Sequence, residues 1–355
     1  MAQVPQKTPN QVTLDTTMGP ALVELLARKD VTEAYCNDDG TVWYISQTEG
    51  KVRSSIVLPE ERRMAVIRLC AGQAGKIIDS NVPDISCEID GYGYRFQGEI
   101  PPIVRSPQFN IRKKALLVFP LSSYVESGSL TIGYKNYIEH AIKDRKNILV
   151  SGGTGTGKTT FLNALLLDMA EISPDHRIIS LEDLPELQCP AEDYSPMYTM
   201  QDTGDPHKKV YNMTRLLASC MRRSPDRIIV GEVRDGAAYS MLKAWNTGHP
   251  GGVCTTHADN ALFALTRIEN LAREDPSCES LSEEALRNLI GEAINVVISI
   301  EHKVLPNGVR TRVISEILEV HGYDALKHQY RTVPVDPQIR IEPVIRKKQS
   351  GNMSS

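Results

Sequence analysis

The chain has no apolar run approaching the ~18 residues of a membrane-spanning helix. Its first residues, MAQVPQKTPN, have no apolar core of the signal-peptide kind. Cysteine is sparse. The seven present are scattered, odd in number and form no CxxC pair, which argues against a disulfide framework or a thiolate zinc site and fits a reducing cytoplasm. There is no excess of basic charge either. A net charge of −4 gives no support to a chain built mainly to coat nucleic acid, although a local basic patch, and so direct nucleic-acid binding, stays open. Internal repeats and low-complexity tracts are absent. What is present is an ordinary globular composition, 41% hydrophobic and 24% charged, over 355 residues, long enough for two domains.

Residues 1–18 are polar and expected to be a flexible N-terminus. Residues 19–100 read as a small α+β domain. From Pro20, ALVELLAR has helical spacing; TVWYIS (41–46) and KVRSSIVL (51–58) alternate as a strand pair; RMAVIRLCAGQAG (63–75) is helical; SCEID and YRFQGEI flank a GYG turn as a hairpin. The proline-rich segment 101–129 reads as a linker. Across 130–330 the pattern becomes helix–strand alternation, with short apolar strands NILV (147–150), RIISL (177–181), RIIV (227–230) and GVCTT (252–256). Such strands between helices predict a parallel sheet covered on both faces. NVVISIEHKV and VRTRVISEILEV, joined across Pro306-Asn307-Gly308, close it as a hairpin. Residues 331–355 read as a polar tail, with disorder expected for its end, RKKQSGNMSS.

GGTGTGKT (152–159) matches GxxxxGK[ST] between a strand and a helix, the context that the phosphate-binding loop requires. Backbone N–H groups of Gly152, Gly153, Thr154, Gly155, Thr156 and Gly157, with Thr160 following, would curl round phosphates at the helix N-terminus. Lys158 would neutralise the β and γ phosphates and the Thr159 hydroxyl would hold Mg²⁺. This predicts a nucleoside triphosphate site. Ligands of a parallel sheet gather beyond the carboxyl ends of its strands, which here carry the loop, Glu182-Asp183, Gly231-Glu232 and His257. Glu232 stands where such enzymes keep an acid linked to Mg²⁺ or to the attacking water, and Glu182 is the natural second carboxylate.

TGHPGGVCTTHADN (247–260) holds two histidines. No further ligands stand at zinc spacing. His257, at a strand end, is placed to meet the γ-phosphate, and loss of that phosphate would move a flexible Gly251-Gly252 segment. A buried structural histidine is the alternative for His257, and more so for His249.

Taken in order, GGTGTGKTT, RIISLEDLPELQ (177–188), PDRIIVGEVRD (225–235) and TGHPGGVCTTHADN resemble the Walker A, Asp box, atypical Walker B and His box of the secretion ATPases of type II and type IV secretion systems and type IV pili. Within that superfamily the TrbB-type conjugal transfer ATPases look most similar, over roughly residues 20–322. The resemblance implies a RecA-like P-loop ATPase domain behind a smaller α+β domain, assembled as a homo-hexamer. It implies ATP and Mg²⁺ as ligands, and docking on inner-membrane components of a secretion or conjugation complex, at the cytoplasmic face as a peripheral protein. It also implies arginines of the first domain and linker that approach the phosphates, here Arg105 and Arg112, with Arg95 a third candidate. A pilus-retraction-type motor would share all four motifs, and a RecA-like nucleic-acid translocase or a slowly hydrolysing scaffold would share the fold. The four-cysteine zinc insertion usual in pilus-assembly and type II export motors is missing.

Overall fold

A computed structural model describes residues 7–46, 49–113, 118–200, 210–304 and 310–344. The chain divides into two compact units, Met1–Leu116 and Leu117–Ser355.

The first unit contains helices α1 (Pro9–Met18), α2 (Pro20–Ala27) and α3 (Glu60–Gln73), with strands β1 (Val31–Cys36), β2 (Thr41–Ser46), β3 (Gly50–Val57), β4 (Asp84–Ile89), β5 (Tyr94–Glu99) and β6 (Gln108–Arg112). The strands form one antiparallel sheet in the order β3-β2-β1-β6-β5-β4. Alternate residues of β4, β5 and β6 are buried, and Ile85, Phe96 and Ile111 join Leu14, Leu22, Val66 and Ile67 from the helices in one core.

Two expectations change here. Residues 9–18 are helical rather than loose, because Thr8 and Gln11 form a reciprocal capping box: Gln11 N donates to Thr8 Oγ1 (3.2 Å) and Thr8 N to Gln11 Oε1 (2.7 Å). Leu14 then anchors the helix in the core. The segment expected as linker supplies β6, which pairs with both β1 and β5 at the centre of the sheet. Its buried positions, Phe109 and Ile111, carry a strand alternation that the neighbouring prolines obscure.

The second unit begins with α4 (Leu121–Glu126) and α5 (Ile132–Lys143). Then follow β7 (Ile148–Gly152), α6 (Lys158–Ile172), β8 (Ile178–Glu182), β9 (Tyr194–Tyr198), α7 (Met213–Cys220), β10 (Arg227–Val230), α8 (Ala237–Asn246), β11 (Val253–Thr256), α9 (Ala261–Ala272), α10 (Glu283–Ala293), β12 (Val296–Val304), β13 (Arg310–Asp324) and β14 (Gln329–Pro334). The sheet order is β14-β13-β12-β7-β11-β10-β8-β9. The run from β12 to β9 is parallel, and β13 and β14 add antiparallel strands at one edge. Every residue of β7, β8, β10 and β11 is buried, as a sheet packed on both faces demands. Two hydrophobic clusters lie on the two sides, one with α7, α8, α9 and α10, the other with α4, α5 and α6. This is the expected α/β architecture of RecA-like type.

The turn expected at Pro306-Asn307-Gly308 and the end of the tail lie outside the described residues. The tail that is described is docked: Thr131 Oγ1 donates to Pro337 O (2.7 Å), Asn136 Nδ2 to Ile341 O (2.7 Å), and Val335 and Val344 are buried. Sparse apolar residues among polar ones hid this contact from a compositional reading.

Candidate nucleotide-binding site

The four strand ends singled out by the sequence follow the chain as 158, 182, 232 and 257. The sheet reorders them. Because β11 lies between β7 and β10, and β10 between β11 and β8, the spatial sequence is P-loop, His257, Glu232, Glu182. His257 therefore stands between Lys158 and Glu232.

Lys158 opens α6 and is almost fully buried. Its ammonium donates to Gly152 O (2.8 Å) and Gly153 O (3.0 Å) and lies 3.2 Å from His257 Nδ1. An ammonium only donates, so His257 Nδ1 carries the lone pair and the ring proton sits on Nε2. Partial burial pushes the imidazole below its ordinary pKa, and the charges of Lys158, Arg234 and Arg267 add to this against the opposing pull of Glu232. The ring is neutral at pH 7. Gly157, just before Lys158, has φ +92°, a left-handed conformation that glycine adopts without strain. No side chain caps α6, so its first N–H groups are open to an anion. Thr159 and Thr160 stand half-buried in that first turn.

Glu232 follows β10 with one oxygen held: Arg234 donates to Oε2 at 2.5 Å. The other, Oε1, is 2.7 Å from His257 Nε2, off the hydrogen-bonding direction, and this buried atom receives no hydrogen bond among the described residues. Thr256 Oγ1, at the end of β11, is likewise buried without a partner. Orphaned buried polar atoms are rare and call for water, ion or ligand. A carboxylate and the Thr159 hydroxyl suit Mg²⁺, which keeps waters and shares substrate phosphates rather than needing a protein cage. Among the described residues no cluster of three or more His, Cys, Asp or Glu side chains could hold a metal alone.

Glu182 behaves differently. Its Oε2 accepts from the backbone N–H of Glu186 (2.8 Å) and Leu187 (2.7 Å), and Ser180 Oγ donates to Oε1 at 3.3 Å. Burial raises its pKa, and the two backbone bonds oppose that rise. The carboxylate is thus committed to folding the loop after β8, while its Cγ backs onto Gly231, where an added Cβ would come within 3.3 Å.

An open cleft of about 560 Å³ adjoins the P-loop tip, lined by Gly153, Thr154, His257, Phe263 and Arg267 among others. His249 lies before β11 rather than after it, with Nδ1 3.1 Å from Pro225 O, away from this cleft. The glycine pair expected to flex is pinned. Gly251 and Gly252 both donate to Asn147 Oδ1 (2.8 and 2.9 Å), Arg227 donates to Gly251 O (3.1 Å), and a Cβ on Gly252 would fall 2.1 Å from Trp245 Nε1. These glycines serve close packing, not mobility.

Arg95, Arg105 and Arg112 belong to the first unit. Arg95 and Arg112 are direct cross-strand neighbours, flanked by Glu88 and Glu33 in the same row, and Arg105 is exposed in the bend before β6. Sequence reasoning missed Arg234, Asn147 and Arg267. Arg234 was visible two residues after the Walker B acid, whereas Asn147 and Arg267 gain their roles only through the sheet.

The type II/IV secretion system protein family matches residues 25–312. The conjugal transfer protein TrbB of Rhizobium radiobacter is 41% identical over 310 residues, covering 87% of this chain and 90% of that protein. The type IV secretion system protein PtlH of Bordetella pertussis is 30% identical over 317 residues, 83% of this chain and 92% of its own. Among solved structures, the Legionella pneumophila ATPase DotB superposes with a TM-score of 0.59 at 18% identity, over 88% of this chain and 82% of that one, a likeness of fold.

Proposed function

The chain belongs to the type II/IV secretion system protein family, and from that membership we propose that it powers a type IV secretion or conjugative transfer apparatus from the cytoplasmic face of the inner membrane. It is an ATP-hydrolysing enzyme. The working form is a homo-hexamer docked peripherally on membrane components of that apparatus, with the first unit as the smaller domain and the second as the motor.

The observation that carries this reading is the contact line Lys158–His257–Glu232, ending on a buried acceptor oxygen that receives no hydrogen bond among the described residues. Lys158 is held by the carbonyls of its own loop. A γ-phosphate draws the ammonium away and leaves His257 Nδ1 without its donor, so the imidazole registers the phosphate through Lys158. Glu232 Oε1 accepts from water and aims it at phosphorus, while Arg234 keeps the other oxygen in place. Thr159 and Glu232 are the residues that would hold Mg²⁺, which would supply charge neutralisation when bound. Lys158 and the open amides of α6 stabilise the developing charge. Glu182 acts as a positioning residue, fixing the loop beside Glu232. Arg112 and Arg105, with Arg95, supply further positive charge.

Lys158→Ala and Glu232→Gln separate the two halves of the site. The lysine variant should lose nucleotide binding. The glutamine variant should retain it, with turnover down roughly 10²-fold or more. Nucleotide affinity and hydrolysis unchanged in Lys158→Ala would sink the P-loop assignment.

A further inference from the structure

One arginine leans on the P-loop from an element that none of the four motifs includes. Arg312 lies near the start of β13, paired across the hairpin with His302 of β12. Since β12 runs parallel beside β7, as far as Ile300 opposite Gly152, β13 crosses the mouth of the loop one strand further out. A Cβ on Gly157 would lie 3.3 Å from Arg312 Cδ and 3.6 Å from one of its terminal nitrogens. The arginine stem therefore covers the glycine that precedes α6. Two residues along the same strand face, Ile314 is buried in the cluster containing Leu121, Leu130 and Phe161, which fixes the strand against the first turn of α6. Tyr124 of α4 stacks edge-on against Phe161 (5.5 Å between ring centres) and feels the Arg312 charge.

Arg312 is exposed and forms no ion pair with a carboxylate among the described residues. A planar cation, packed by its stem and open at its head, stands beside amides that want an anion. Arg312 stands outside the cleft at the loop tip. The cleft at the loop tip is lined by Gly153, Thr154 and His257, and neither Arg312 nor Gly157 nor Tyr124 borders it.

We propose that Arg312 is a nucleotide-binding residue that contacts the α- and β-phosphates, the part of the ligand that ATP and ADP share. This rests on the P-loop reading above and adds a phosphate contact from outside its motifs. Its consequence is a division of labour. Lys158, His257 and Glu232 answer to the γ-phosphate, whereas Arg312 holds the nucleotide through hydrolysis and product release.

The test measures ADP and ATP affinity by calorimetry on the full chain with Mg²⁺, for wild type, Arg312→Gln, Arg312→Lys and Lys158→Ala. Loss of one charge-assisted contact should weaken both nucleotides about tenfold or more in Arg312→Gln. KM should rise in step, kcat should change little, and Arg312→Lys should recover part of the loss. Melting temperature without nucleotide should not move, because the head group is exposed. Three outcomes would overturn the proposal: unchanged affinity for both nucleotides, weakening of ATP alone, or a fall in melting temperature with affinity intact. If Lys158→Ala also binds normally, the P-loop reading itself has failed. If only Arg312→Gln does, this inference alone has.

Discussion

His257 has a neutral ring in the folded chain because an ammonium occupies one side and burial disfavours the charged form. That has a measurable cost in acid. The folded pKa lies below the ordinary imidazole value, so the unfolded chain takes up a proton first as pH falls. The associated stability is complete above about pH 6.5 and is lost as pH drops through the folded pKa. His176, held neutral by burial and by Arg227, contributes with the same sign. Urea midpoints measured from pH 7.5 to 5 should therefore fall, and His257→Ala should flatten part of that slope. An identical slope in the variant would mean that the folded-state imidazole is not depressed.

At the scale of elements, β10, β11 and α8 pack too tightly for side chains at the Gly251-Gly252 turn. The turn enters β11 under Trp245, whose indole N–H donates to Ile228 O (3.2 Å). Gly252→Ala places a methyl against that ring and should destabilise the unit by about 1–3 kcal/mol, as overpacking does. Thermal melting should show the loss, while nucleotide affinity in the surviving folded protein stays near wild type. A variant as stable as wild type would revive the flexible-hinge reading. Most elements were legible in advance: β2 spans the residues expected from TVWYIS, and the four apolar strands of the second unit fall within two residues of expectation. Those missed had mixed signals. β6 is flanked by prolines, and β9 sits in a polar stretch at the sheet edge with partly exposed residues, where no apolar run marks a strand.

For the whole molecule, the proposed hexamer predicts that sedimentation in ATP and Mg²⁺ will show a species of six chains. The proposed peripheral docking predicts that disrupted membranes release the protein without detergent; no helix among the described residues is long and apolar enough to span a bilayer. A chain that stays monomeric at all concentrations, with full turnover, would remove the ring from the mechanism.

The P-loop, the acids at strand ends and His257 could be named from residues alone, because phosphate binding needs glycine and lysine at fixed local spacing and parallel strands present their last residues to ligand. Local spacing says nothing about which strands are neighbours. Only the tertiary order β13-β12-β7-β11-β10-β8 put His257 between Lys158 and Glu232 and laid Arg312 over Gly157. Those relations depend on long-range hydrogen-bond pairing between strands as far apart as β7 and β12, which no local stretch of sequence encodes.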